Sequence, residues 1–383
     1  MKRVAIFRAD LLPISETFVR DQADSLARWQ PVLVGRRRVE GGLPTPGIPH
    51  EIVPDTPHRV VSALRFWLSL PDPRLVAQLK ALHVDLVHTH FGTDATEVWP
   101  SVKAAGLPMV VTLHGYDINI HREWWEAGHG GLRKRVYPRR LLQMAREPKV
   151  SFIAVSRAVK RRAIDYGIPE DKISTAYIGV DIRRFQPGGL ALAKRAKRIL
   201  FVGRMVEKKA PLLMIRAFAK VRSEVPDAEL VMVGDGPLLA EAQQLAGELA
   251  VPVSFLGARS WDQVLMQMHE ARVFCLPSVT AGNGDAEGLP ISLLEAQATG
   301  VPVVTSARGG VDEGLQDGKT GIAFKEGAMD DLVVALRRLL CDSAAAARAS
   351  VEAVQFAASA FDLRNHSREL ESVYERLAHA GQH

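Results

Sequence analysis

The sequence predicts an α/β protein made of two Rossmann-like, doubly wound parallel-sheet domains. Short apolar runs alternate with helix-length amphipathic stretches nearly throughout the chain. The runs are continuously apolar rather than alternating, as parallel strands buried on both faces require. The length, 383 residues, exceeds what one core usually organises, so two domains of roughly 150–200 residues are expected.

In the first half the strand candidates are 4–7, 32–35, 85–88, 109–113 and 152–155. In the second half they are 199–202, 230–233, 253–256, 273–276 and 301–305. Helix patterns such as 211–222, 238–249 and 261–270 lie between them, and repeated β-α units of this kind wind a parallel sheet. Ser156 precedes a helix over 157–166 and suits an N-cap better than a nucleophile. The break between halves falls at Phe185-Gln186-Pro187-Gly188-Gly189, where Pro and Gly end one unit. The predicted domains are 1–182 and 196–359. Leu363, Leu370, Val373, Tyr374 and Leu377 form one apolar face of a last helix. That helix, 360–380, is expected to pack on the body and to return to the first domain. Ligands of open α/β sheets bind beyond the carboxyl ends of the strands, so two such sheets are expected to face each other across a working cleft.

Composition narrows the class. Apolar residues make up 47 % and charged residues 24 %, the mix of an ordinary globular protein. No apolar run approaches the roughly 18–20 residues of a membrane span, and the N-terminus carries no expected signal peptide. Two cysteines, Cys275 and Cys341, exclude a disulfide scaffold and a Cys-based zinc site. A cytoplasmic enzyme is the expected class. Residues 1–182 carry 26 Lys+Arg against 19 Asp+Glu, a balance of +7, while 183–383 carry 23 against 24, or −1. This asymmetry points to an anionic partner for the first half, or to solvated helix faces. The basic runs lack interleaved aromatics for base stacking, so no nucleic acid is expected.

The most specific local feature is Glu287-Gly288-Leu289-Pro290-Ile291-Ser292-Leu293-Leu294-Glu295-Ala296, after the 273–276 strand and a Gly-rich loop. Pro290 suits the first turn of a helix. Gly288 and Leu289 then lie at a helix N-terminus, where open N–H groups and the dipole favour an anion such as a diphosphate. On spacing alone, Glu287 can equally complement the dipole and Glu295 sit exposed on the helix. Gly203, Arg204 and Lys209 follow the 199–202 strand and make a phosphate clamp, with Arg as a fork and Lys as a point charge. Lys208 and Lys209 can also be merely solvated. Val233-Gly234-Asp235-Gly236-Pro237 ends another strand but lacks the third glycine of a dinucleotide fingerprint. His88, His90, His114, Asp117 and His121 cluster near strand ends. Such histidines hydrogen-bond substrate or backbone more often than they bind a metal, and no metal is predicted.

Taken together, several motifs resemble family-4 glycosyltransferases of the GT-B fold. They are Gly203-Arg204-x4-Lys209, Val233-Gly234-Asp235-Gly236-Pro237, Phe255-Leu256-Gly257, Glu287-x7-Glu295, His114-Gly115, Ala154-Val155-Ser156, Gly179-Val180-Asp181 and Gly309-Gly310. They run in order from about residue 4 to 325. The resemblance implies retaining transfer from a nucleoside-diphosphate sugar to a hydroxyl of a glycan or lipid-linked acceptor, without a bound metal or other cofactor. It implies that Arg204 and Lys209 hold the diphosphate, Glu295 the ribose, Glu287 the donor sugar, and the Gly288 and Leu289 N–H groups the distal phosphate. The backbone near Arg259 would meet the base, and His114 the sugar. Gly203, Gly234, Asp235 and Pro290 complete the expected donor side; Ser15, Glu16, His90 and Asp117 are the acceptor-side candidates.

Ser15-Glu16-Thr17-Phe18 resembles the subgroup that builds exopolysaccharide and lipopolysaccharide repeat units. Three departures stand out. Leu12-Pro13-Ile14-Ser15 replaces a Gly-Gly turn, Ala210 replaces a common glycine, and Asp312 replaces a proline. The alternatives are a sugar-nucleotide epimerase and a non-catalytic module that binds sugar nucleotide or anionic lipid. A peripheral contact between the basic first domain and an anionic inner membrane face is expected from its charge and from Phe66-Trp67-Leu68.

Overall fold

The computed structural model describes residues 1–55, 58–306 and 311–380. The chain divides into two units, Met1–Ile178 with Leu363–His383, and Gly179–Asp362.

The first unit holds β1 (Lys2–Leu11), β2 (Trp29–Arg38), β3 (His50–Ile52), β4 (Leu86–His90), β5 (Met109–Leu113), β6 (Val150–Ala154) and β7 (Ile173–Thr175). They form one sheet in the order β3-β2-β1-β4-β5-β6-β7, parallel at every pairing. The second unit holds β8 (Arg198–Val202), β9 (Glu229–Val233), β10 (Val253–Gly257), β11 (Val273–Leu276), β12 (Val303–Thr305) and β13 (Gly321–Ala323). Its order is β10-β9-β8-β11-β12-β13, again all parallel.

Every residue of β4, β5 and β11 is buried, which explains their unbroken apolar character. All ten expected strands are present. The additional three, β3, β7 and β13, have three residues each and lie at sheet edges. Strand order reverses between β1 and β4 and between β8 and β11. The carboxyl ends of those two pairs are the places where open α/β sheets bind ligands. Ser156 caps the helix Arg157–Tyr166, its Oγ accepting from the Val159 N–H at 3.1 Å.

The last helix, Leu363–Ala380, packs on the first unit. Leu370, Val373, Tyr374 and Leu377 join the core cluster that contains Trp29, Val19 and Leu33. Its register is fixed by Glu371, which is fully buried. Glu371 Oε1 accepts from the backbone N–H groups of Ala27, Arg28 and Trp29 at 2.8, 2.6 and 3.0 Å, and Oε2 lies 3.2 Å from Arg28 Nε. Glu371→Ala removes the acceptor of three N–H groups, of which that of Trp29 is buried, and an unpaired buried donor is costly. It is expected to destabilise the first unit by about 2 kcal/mol in denaturant unfolding. A loss below about 1 kcal/mol would show that the apolar stripe alone holds the helix.

Candidate active site

The second unit gathers one set of polar groups at the carboxyl ends of β8 and β11. After β8 the chain passes Gly203-Arg204 into a 3-10 turn at Glu207–Lys209 and then the helix Pro211–Glu224. After β11 it crosses a polar loop to the helix Ile291–Ala298. Three consecutive side chains of the turn fasten this loop. Glu207 Oε1 accepts from the Gly282 N–H at 2.9 Å, Lys208 Nζ lies 3.0 Å from Asp285 Oδ1, and Lys209 Nζ lies 2.8 Å from Glu287 Oε1. The Val279 N–H also donates to the Lys208 carbonyl at 2.8 Å. Neither lysine is merely solvated.

Electrostatics follow from this pairing. Burial pushes the Glu287 carboxyl up, but Lys209 and Lys208 outweigh it and hold the group below the usual carboxylate range. Glu287 is therefore charged at neutral pH. Asp285 goes the other way, because burial exceeds what Lys208 returns. Arg204 is exposed and its guanidinium makes no hydrogen bond or ion pair to a described residue, which leaves that fork open to an anion.

The helix Ile291–Ala298 is held at the same place. Ser292 Oγ donates to the Val202 carbonyl at 3.2 Å, tying the first helical turn to the end of β8. Pro290 is its N-cap, so the helix starts one residue later than a proline in the first turn implies. Gly288, Leu289 and Pro290 are buried just before it, and Glu295 is half-buried on the second turn. A Cβ on Gly234 would lie 1.9 Å from the Gly203 carbonyl oxygen, and Gly234 has φ +138°. Only glycine lets the ends of β8 and β9 approach so closely. Asp235 Oδ1 accepts from the Gly236 N–H at 2.6 Å. Arg259, past β10, is exposed and donates to the Ala258 carbonyl.

The first unit builds a second cluster at the ends of β1, β4 and β5. Arg8, buried within β1, makes a fork with Glu16 (Nε–Oε2 2.8 Å, Nη2–Oε1 2.6 Å), pairs with Asp94, and stacks 4.5 Å from the Phe91 ring centroid. Glu16 is thus committed to Arg8, while Ser15 beside it is exposed. Asp117 is fully buried and accepts from the N–H groups of Gly92, His114 and Gly115 at 2.8, 3.0 and 3.0 Å. Burial outweighs those three bonds and raises its carboxyl to about 6. Asp117 shapes the turn that presents His114. His90 lies 3.0 Å from His114, nitrogen to nitrogen. Among the described residues no group of three or more His, Cys, Asp or Glu side chains is arranged to hold a metal ion.

Arg8, Asp94 and Phe91 are absent from the candidates predicted by sequence. The available signal was a charged residue adjoining an apolar strand, which must find partners if buried. Two departures from family glycines have a common physical meaning. Leu12 and Ala210 both adopt left-handed backbone, φ +50° and +49°, the conformation that glycine enters without steric cost. Gly309 and Gly310 lie outside the described residues.

Comparison with known proteins identifies the family and the fold. Residues 15–184 match the family described as Glycosyltransferase Family 4, and residues 183–355 match Glycosyl transferases group 1. The chain is 29 % identical over 317 residues to the amylovoran biosynthesis glycosyltransferase AmsK of Erwinia amylovora, covering 80 % of this chain and 74 % of the relative. It is 31 % identical over 300 residues to a GDP-mannose-dependent alpha-(1-6)-phosphatidylinositol monomannoside mannosyltransferase of Mycolicibacterium smegmatis, covering 74 % and 75 %. Its fold resembles that of Anabaena Alr3699/HepE in complex with UDP-glucose, with a TM-score of 0.81 at 18 % identity over 98 % of this chain and 100 % of that one. The chain belongs to glycosyltransferase family 4, in the GT-B fold class.

Proposed function

We propose that this glycosyltransferase is a retaining enzyme that moves a sugar from a nucleoside-diphosphate sugar to a hydroxyl of a glycan or lipid-linked acceptor in cell-surface polysaccharide synthesis. The observation that carries the reading is the open Arg204 fork beside the Lys209–Glu287 pair, with a helix N-terminus pinned to the same strand end. Such a site suits a diphosphate. The names of the bacterial relatives, an amylovoran biosynthesis glycosyltransferase and a phosphatidylinositol monomannoside mannosyltransferase, favour a polysaccharide or glycolipid product.

In the proposed step the bond from the anomeric carbon to the diphosphate breaks, and the acceptor oxygen bonds to that carbon on the same face. The acceptor's proton passes to the leaving phosphate oxygen, so no strong side-chain base is needed. Negative charge develops on the phosphate, where Arg204, Lys209 and the helix N-terminus meet it without a bound metal; one preorganised donor is typically worth roughly 3–4 kcal/mol. Glu287 contacts the donor sugar, Glu295 the ribose, and His114 donates to a sugar oxygen. Product analysis with a panel of nucleoside-diphosphate sugars tests this. Acceptor-dependent transfer with the donor's anomeric configuration kept is the expected result, whereas donor rearrangement without acceptor would make the protein an epimerase.

The reading extends to an anionic membrane face on the cytoplasmic side. No helix among the described residues is long and apolar enough to cross a membrane. The helix Arg59–Trp67 and the turn after it nevertheless expose Val60, Leu64, Trp67 and Leu68, which are 80, 55, 48 and 59 % accessible. Arg133 and Arg140 stand over the Phe66 ring at 5.1 and 4.1 Å, beside this patch. An apolar face rimmed by arginines complements anionic lipid, each well-placed cation contributing about 1 kcal/mol. Co-sedimentation with liposomes should require anionic lipid and weaken with salt. Equal binding to neutral vesicles, or none, would contradict it.

A further inference from the structure

We infer that His90 is a positioning residue: through its hydrogen bond to His114 Nε2 it fixes His114 as the tautomer protonated on Nδ1, which makes the open nitrogen of His114 a hydrogen-bond donor. The use of that donor on a sugar oxygen rests on the function proposed above; the tautomer assignment does not.

Three histidines lie at the carboxyl ends of β4 and β5, and their partners differ. His88 is saturated, with Nδ1 2.6 Å from the Tyr374 hydroxyl and Nε2 2.7 Å from Thr112 Oγ1. Both partners are hydroxyls that can donate or accept, so His88 imposes no proton position on its neighbours. The His90 ring has one hydrogen-bond partner among the described residues. Its Nδ1 lies 3.0 Å from His114 Nε2, while its Nε2 is sealed from solvent and has no hydrogen-bond partner among the described residues. His90 is fully buried, and burial, together with His88, His114 and Arg8, keeps it neutral. Burial does the same for His114.

A neutral imidazole carries one N–H. Were the His90 proton on Nε2, a buried donor would be left unmade, the kind of orphan that folded proteins most strongly avoid. The proton therefore sits on His90 Nδ1 and is donated to His114 Nε2. His114 Nε2 is then an acceptor, and the His114 proton must sit on Nδ1. That nitrogen makes no hydrogen bond to a described residue and is not sealed, since His114 is the one partly exposed ring of the three. The ring itself is held between Phe18 and Phe91, with centroids at 5.0 and 4.4 Å. Orientation thus comes from aromatic walls and proton placement from His90. The resulting ligand is an oxygen acceptor, such as a sugar hydroxyl.

Histidine-selective 15N NMR of the full chain reads the tautomer directly, the His114 signals being assigned by their loss in His114→Phe. The expected spectrum has His114 protonated on Nδ1 in wild type and in His90→Asn, whose amide N–H can replace the Nδ1–H. In His90→Phe it shifts towards Nε2. Loss of one neutral hydrogen bond corresponds to about tenfold in kcat/KM for His90→Phe, with His90→Asn restoring most of it. Added to His114→Phe, His90→Phe should cause no further loss. A wild-type His114 protonated on Nε2, or a tautomer unmoved by His90→Phe, would overturn the inference. Should His90→Phe fail to fold, the wild-type and His90→Asn spectra still decide it. A tautomer shift with His114→Phe fully active would uphold the assignment and remove the sugar contact instead.

Discussion

Lys209→Ala is expected to lower kcat/KM by about 10²-fold or more, and Arg204→Ala by a similar factor, but the two should differ in stability. Lys209 Nζ lies 2.8 Å from Glu287 Oε1, and both side chains are mostly buried. Its removal takes a cation from the proposed diphosphate site and leaves Glu287 with Lys208 and the Ser278 hydroxyl, 3.5 Å away. Breaking a buried pair typically costs about 3–5 kcal/mol, so the melting temperature should fall as well. Arg204 is exposed and pairs with no described residue, so its loss should leave stability unchanged while activity drops. Steady-state kinetics beside thermal unfolding reads both quantities. Activity within a few-fold of wild type in both variants would place the clamp elsewhere.

The two glutamates of the 287–295 segment should fail in different ways. Glu295 is assigned to the ribose, which does not react, so Glu295→Gln should remove ground-state and transition-state binding alike. KM should rise by about tenfold, and affinity for the free nucleoside diphosphate should weaken by the same factor. Glu287 is assigned to the reacting sugar. Glu287→Gln keeps the size, removes the charge and releases Lys209, so kcat should fall by about 10²-fold without any loss of nucleoside diphosphate affinity. Calorimetric titration beside kinetics separates the cases. The opposite pattern would reverse the assignment, and no change in either variant would make the pair structural.

The architecture was legible because burial on both faces writes a parallel strand as an unbroken apolar run. β4, β5 and β11 are such strands, buried at every position. The edge strands β3, β7 and β13 were not legible. Three residues such as His50-Glu51-Ile52 carry no period, and their pairing is set by a neighbouring strand rather than by their own composition. The donor-side cluster was readable because its parts lie in two short segments, Gly203 to Lys209 and Glu287 to Glu295. Their mutual pairing, lysine to carboxylate, became visible only through contacts such as Lys208 to Asp285. In the first unit, Arg8, Glu16 and Asp94 meet although Arg8 and Asp94 are 86 residues apart. Nothing local marks that meeting, because the strand order places β4 beside β1. The exposed apolar helix Arg59–Trp67 was readable as Phe66-Trp67-Leu68, but composition alone cannot say which faces of a helix reach water.

The carboxyl end of β8, with Arg204 and Lys209, is proposed to bind the diphosphate of a sugar nucleotide. Calorimetric titration of the wild-type chain and of Arg204→Ala with a panel of uridine and guanosine diphosphates and their sugar conjugates tests it directly. One site per chain is expected for at least one base, weakened by about tenfold or more in Arg204→Ala. Binding of no member of the panel, or binding of equal strength in Arg204→Ala, would contradict it.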